Sequence, residues 1–111
     1  MEQFSGDSAA LKKLIADGVE KGLVVVDFSA DWCPDCRRLN AWLPKIIADN
    51  PDVKFIGVNR DEYRDLCSEY NVRHIPTVHF FKKVDGQPKI VETSVEPRNN
   101  QEFTALFAKH K

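Results

Sequence analysis

Cys33 and Cys36, with two residues between them in Trp32-Cys33-Pro34-Asp35-Cys36, are the side chains of this chain best placed to do chemistry. Two thiols at that spacing at the start of a helix share one turn and can close a small disulfide ring. Pro34 suits a first helical position, where its missing N–H costs nothing, and Asp35 falls in the first turn. A helix is therefore predicted to begin at Cys33. Its unpaired N–H groups and dipole favour negative charge on that sulfur, and the thiolate is the attacking species in disulfide exchange. Cys33 is the expected nucleophile, and Cys36, one turn further in, the thiol that resolves a mixed disulfide. Trp32 supplies an apolar wall, while Arg37 and Arg38 add positive charge. Asp35 opposes them: an anion about 6–8 Å away at an effective dielectric near 40 disfavours the thiolate by roughly 1 kcal/mol. The helix end returns about 0.3–1 kcal/mol, so the two effects nearly cancel.

A structural or metal-binding role is the competing reading of the pair. Structural zinc takes four ligands, commonly from two paired motifs. The remaining candidates, Cys67, His74, His79 and His110, belong to no such motif, and no metal is expected. Cys67 reads as a small hydrophobe on a buried helix face, His74 as a solvated loop residue and His79 as an exposed strand residue. Trp42, Phe80 and Phe81 read as core. Arg37, Arg38, Arg60, Arg64, Arg73 and Arg98 read as solvated surface.

The elements that must hold the cysteines follow from the surrounding pattern. Apolar side chains at Ala10, Leu11, Leu14, Ile15 and Val19 predict a helix over 7–21, with Asp7 or Ser8 as N-cap and Gly22 as stop. Residues 23–29 are dense in β-branched side chains and read as a strand buried on both faces. An acid inside it, Asp27, would cost several kcal/mol if charged and unpaired, so a raised pKa and a proton-transfer role are expected. The helix from Cys33 runs to about Asp49 with Pro44 interrupting its ladder. Strands follow at 53–59 and 77–83, a short helix at 61–70, a turn at Asp85-Gly86, a return strand at 89–94 and a last helix over 98–109. This order implies an α/β fold, a mixed sheet covered by helices on both faces, in one domain spanning 1–111.

Composition narrows the function classes. The chain is 42% apolar and 30% charged with a net charge of −1, which provides no basic field for a phosphate backbone. Its longest apolar run, Leu23–Val26, is too short to cross a bilayer. The start lacks the charged and apolar regions of a secretory signal, so a cytoplasmic protein with no nucleic-acid or membrane partner is expected.

Taken together, Val26-Asp27-Phe28, Trp32-Cys33-Pro34-Asp35-Cys36 and Ile75-Pro76-Thr77, at these separations, resemble the thioredoxin family over essentially the whole chain. The active-site variant is also similar to the thioredoxin-related proteins of about 14 kDa, whose substrate range is narrower. The resemblance implies the thioredoxin fold, a central mixed sheet of four or five strands flanked by four helices. It implies that Asp27 takes the proton of Cys36 and that Pro76 is a cis-proline facing the disulfide. Ile75 would then offer its backbone to an extended substrate, with Trp32, Pro34, Asp35 and Pro76 around it. It further implies disulfide-containing protein substrates, a thioredoxin-reductase-type electron donor, no cofactor and a monomer. The sequence departs from the commonest family pattern at Pro34-Asp35, Ser29, Ala41, Ser94 and Gly57, the last where a lysine often pairs with the buried acid.

Three functions are compatible with these residues. The leading one is protein-disulfide reduction through Cys33 and Cys36. A glutaredoxin-like, glutathione-dependent reductase draws support from Pro34 but not from Trp32, Asp27 or Ile75-Pro76-Thr77. A non-enzymatic module would use the cysteine pair only as a redox-sensitive switch.

Overall fold

The computed structural model describes all of residues 1–111. In chain order its elements are β1 (Glu2–Gln3), α1 (Ser8–Val19), β2 (Val24–Ser29), α2 (Pro34–Asp49), β3 (Lys54–Asn59), α3 (Arg64–Glu69), β4 (Thr77–Val84), β5 (Gln87–Val95) and α4 (Asn100–His110). The five strands form one mixed sheet in the order β1-β3-β2-β4-β5. β2 lies parallel to β3, with Asp27 beside Gly57, and antiparallel to β4, with Asp27 beside Val78. β1, absent from the sequence reading because two residues carry no periodicity, adds parallel to β3 and sets Gln3 beside Gly57.

The alternation of side chains along β2 divides the interior into two layers. Val24, Val26 and Phe28 pack with Leu11, Ile15 and Val19 of α1 and with Leu66 and Cys67 of α3. Val25 points the other way, into a layer with Leu39, Leu43 and Ile46 of α2 and Phe103 and Phe107 of α4. Asp27 shares the parity of Val25 and therefore faces the α2 side. Phe80 anchors that second layer, its ring 5.1 Å from Phe107 and 6.1 Å from Phe103. Each such buried ring contributes about 1.5–3 kcal/mol over an exposed one.

Local signals end the helices where side chains can satisfy the backbone. Asp7 caps α1 by accepting from the Ala10 N–H at 2.9 Å. Asn99 does the same for α4, accepting from Glu102, so that helix starts two residues later than its apolar pattern suggests. Asp85 and Gly86 both have positive φ, 53° and 79°, as a two-residue hairpin turn between β4 and β5 requires.

His79 corrects the sequence reading. It is 5% exposed, on the α1 and α3 side of β4, because that strand is interior to the sheet and covered on both faces. Its ring lies 5.5 Å from Phe28 and 6.1 Å from Phe81, with Nδ1 against Thr93 Oγ1 and Nε2 against the Tyr70 carbonyl. Burial holds its pKa below the ordinary 6.5, and the Tyr70 carbonyl only partly offsets this. The stability of neutral His79 is thus present above 6.5 and lost as pH falls through its lowered folded pKa. Unfolding free energies measured from pH 7.5 down to 5 should fall more steeply for the parent than for His79→Gln.

Candidate active site

Cys33 is the N-cap of α2. Its Sγ accepts a hydrogen bond from the Cys36 N–H at 3.3 Å, and Pro34 occupies the first helical position. The sulfur thus takes up one of the helix's unpaired donors, the position where a thiolate is best stabilised. Both thiols are free; Cys33 is 5% exposed and Cys36 fully buried. Burial, first of all, and then the hydrogen bond that the Cys36 thiol gives to Cys33 push that thiol up to about 12, with the charges of Cys33 and Asp27 adding to the rise. The pair is therefore asymmetric: one sulfur at the helix end, the other a protonated thiol behind it. Asp35 is turned away into an ion pair with Arg38, which neutralises the anion that the sequence set against a Cys33 thiolate.

Asp27 lies below the pair in β2. It is 2% exposed, and neither carboxyl oxygen has a hydrogen-bond partner. Burial alone raises its pKa from 3.8 to about 7. The neighbouring strand explains the lack of a partner: Gly57, beside Asp27 in register, has no side chain to offer. The space a side chain would fill is instead taken by the Gln3 carboxamide, whose Nε2 lies 2.8 Å from where a Gly57 Cβ would stand. Gln3, Gly57 and Asp27 thus form one row across β1, β3 and β2. No periodic signal marked Gln3; only the strand pairing reveals it.

The rim is built where β2 and β3 end together. Ser29 pairs with Asn59, so the residues that follow each strand meet at one edge. Trp32, 54% exposed, donates its Nε1–H to Asp61 Oδ2 at 2.7 Å, and the Arg60 guanidinium sits 5.4 Å from the ring centroid. These contacts fix an exposed indole in one orientation. On the opposite side, Cys33 Sγ lies 3.7 Å from the Ile75 carbonyl oxygen. The Ile75–Pro76 bond is cis. Neither the N–H nor the C=O of Ile75 enters a backbone–backbone hydrogen bond, so its edge is free to pair with an extended chain.

A dithiol at a helix N-terminus, an acid beneath it and a backbone edge without backbone partners beside it form an arrangement suited to thiol–disulfide exchange. The thioredoxin family model matches residues 4–109. The chain belongs to the thioredoxin family. A thioredoxin of Chlamydia trachomatis is 36% identical over 96 residues, covering 86% of this chain and 90% of its own. A chloroplastic thioredoxin-like 2-2 of Arabidopsis thaliana is 41% identical over 70 residues, which are 63% of this chain but span only 30% of that longer relative. Among solved structures, Trichomonas vaginalis thioredoxin superposes with a TM-score of 0.88 at 35% identity, covering 98% of this chain and 96% of that one. Fasciola hepatica thioredoxin gives 0.82 at 30% identity over the full length of both. As a member of the thioredoxin family the chain carries Cys33 and Cys36 in a geometry suited to that exchange.

The sequence-predicted positions Asp27, Trp32, Cys33, Pro34, Cys36, Ile75 and Pro76 converge at this one end of the sheet, whereas Asp35 is engaged by Arg38. Cys67 is buried in the α1 and α3 layer, and His74 is exposed, 3.9 Å from Glu96. No group of three or more His, Cys, Asp or Glu is arranged to hold a metal. No helix is long and apolar enough to cross a membrane. Asp61 escaped the sequence reading, and Arg60 was read as solvated surface, because only the β2–β3 register brings them against Trp32.

The buried acid has a measurable cost. Between its unfolded pKa of 3.8 and its folded value of about 7, the folded state binds the extra proton, so stability falls as pH rises through that window. At 1.4 kcal/mol per pH unit the full effect is about 4 kcal/mol. Asp27→Asn should therefore gain about 4 kcal/mol on the parent between pH 4 and pH 8 in denaturant unfolding of the reduced proteins. A pH-independent difference would remove the buried-acid assignment.

Proposed function

We propose that the protein reduces disulfides of protein substrates, with Cys33 as nucleophile, Cys36 as resolving thiol and Asp27 as the proton acceptor for Cys36. The observation that carries the reading is the asymmetric pair: Cys33 Sγ capping α2 and a buried Cys36 thiol on the side of the sheet that Asp27 faces. In the first step the Cys33 thiolate attacks one sulfur of the substrate disulfide, and the other sulfur leaves as a thiolate. In the second, Asp27 takes the Cys36 proton and the Cys36 thiolate attacks Cys33 Sγ, releasing the second substrate sulfur. The substrate gains two electrons and the chain becomes a Cys33–Cys36 disulfide. Two electrons from a thioredoxin-reductase-type flavoenzyme restore the dithiol.

The electrostatics support an ordered sequence. Two of the influences that raise Cys36 to about 12, the hydrogen bond it gives to Cys33 and the charge on Cys33, are lost once that sulfur is in a mixed disulfide. Cys36 is thus held protonated until Cys33 has reacted and becomes easier to ionise afterwards. Asp27, at about 7, is a base matched to neutral pH. Trp32, Pro34, Ile75 and Pro76 form the surface that meets the substrate, with Asp35 at its margin. A cytoplasmic monomer is the form in which we propose it works, since a reducing compartment keeps such thiols free.

Cys36→Ser should accumulate substrates as mixed disulfides on Cys33, detected as a thiol-reversible mass increase on that residue. If a partner still binds and none is trapped, the redox-sensitive binding module is the better description. Insulin-disulfide reduction driven by NADPH and a flavoenzyme reductase, set against glutathione as donor, separates the two enzyme readings; turnover with glutathione alone would favour the glutaredoxin-like one. In the parent the rate of the resolving step should inflect near pH 7, the value set by Asp27, and Asp27→Ala should slow that step and remove the inflection.

A further inference from the structure

Arg60, Arg64 and Arg73 line a cleft of about 250 Å³ together with Ser68, Val72 and Ile75, over the Cys67 thiol, and no carboxylate lines it. On a chain with 17 acidic and 16 basic residues this is a local excess of positive charge. The other arginines are engaged: Arg37 with the Asp31 carbonyl, Arg38 with Asp35, Arg98 with Glu96. Arg64 and Arg73 are exposed and enter no salt bridge or side-chain hydrogen bond. Arg60 reaches only Asp61 at 3.7 Å, and the other oxygen of that carboxylate is taken by Trp32. Reading these arginines as ordinary solvated surface therefore misses that three of them line one concavity, with Arg64 also bordering the neighbouring cleft that holds Asp61, Glu62 and Asp65.

The cleft is continuous with the redox site at two points. Ile75 lines it while its carbonyl faces Cys33 Sγ, and Arg60, which also lines it, lies over Trp32. A substrate strand pairing with the Ile75 edge advances about 3.3 Å per residue. A side chain two or three residues from the attacked cysteine would therefore reach the cleft. Guanidinium groups bind carboxylates through paired, directional N–H···O bonds. A lined concavity next to the docking edge also strengthens the field that steers an anion into it.

We propose that this cleft is a specificity site that selects disulfide substrates bearing an acidic side chain two or three residues from the cysteine attacked by Cys33. The inference rests on the reductase reading above and adds the substrate's charge to it.

Three disulfide peptides of equal length, with Glu-Glu, Gln-Gln or Lys-Lys at those two positions, test it in single-turnover reduction by the full chain. The Glu peptide should react about tenfold faster than the Gln peptide at low salt, and the Lys peptide more slowly than either. The advantage should shrink in about 1 M salt, where screening acts over about 3 Å. In Arg64→Gln/Arg73→Gln the Glu-to-Gln ratio should fall toward one. Both positions are exposed, and circular dichroism checks that the variant is folded. Equal rates for all three peptides, or a preference that survives in the double variant, would overturn the specificity site while leaving the reductase intact. Failure to reduce any of the peptides would overturn the reductase reading itself.

Discussion

Burial of β2 on both faces is the constraint from which the site follows. A strand covered by α1 and α3 on one side and by α2 and α4 on the other has no solvated face for a polar residue. Asp27 is nonetheless in it, two residues after Val25 and hence on the α2 side. Its carboxyl must remain mostly protonated up to neutral pH or carry an uncompensated charge, and with both oxygens unpartnered nothing in the protein relieves that choice. The strand then ends at Ser29, four residues before Cys33, so the chain that leaves the core delivers the thiols to the same end of the sheet as the acid beneath them. Backbone geometry, the helix end and a poor environment for one carboxylate are thus a single arrangement.

Parallel pairing gives that arrangement its rim. Because β2 and β3 run side by side, both finish at the same edge, where α/β sheets characteristically bind their ligands. Asp61 and Arg60 follow β3 as Trp32 follows β2, and the indole is held between a hydrogen bond and a cation. An exposed tryptophan without such partners would sample several rotamers and would lose conformational entropy on meeting a substrate. Here that loss has occurred on folding. Antiparallel pairing to β4 brings the third part of the site, since β4 begins at Thr77, directly after the cis Ile75–Pro76 bond.

Legibility in the sequence followed the range of the interactions. The CxxC motif with Pro34 at the first helical position reports a helix start, a local matter of caps and dipoles, and the cap found at Cys33 is the expected one. The two-faced strand and the buried acid were also readable, since a short unbroken run of β-branched residues ahead of a turn has the pattern of a strand covered on both sides. What failed depended on pairing across the sheet. His79 is a polar side chain between Val78 and Phe80, which suggests an outward-facing position, and only the central position of β4 shows that its face is covered. β1 is too short to carry a pattern, yet it supplies Gln3. The arginines of the cleft lie just after β3, at the start of α3 and in the loop before Ile75, and no spacing along the chain announces that they converge.

Gly57 shows how a change in the site is absorbed by the fold. Removing a side chain beside a buried carboxyl could open a water-filled slot to it, and hydration would return the pKa toward its ordinary range. Instead the edge strand contributes Gln3, whose carboxamide packs into the space over Gly57. A neutral amide at that point fills volume without bringing a counter-charge, so the acid stays unpaired and its pKa remains at about 7. A cation in the same place would stabilise the carboxylate and lower that value, making Asp27 a weaker base for Cys36. The two-residue β1 thus sets an uncharged, exposed side chain at the end of the row Gln3, Gly57, Asp27, and the buried acid keeps no counter-charge along that row.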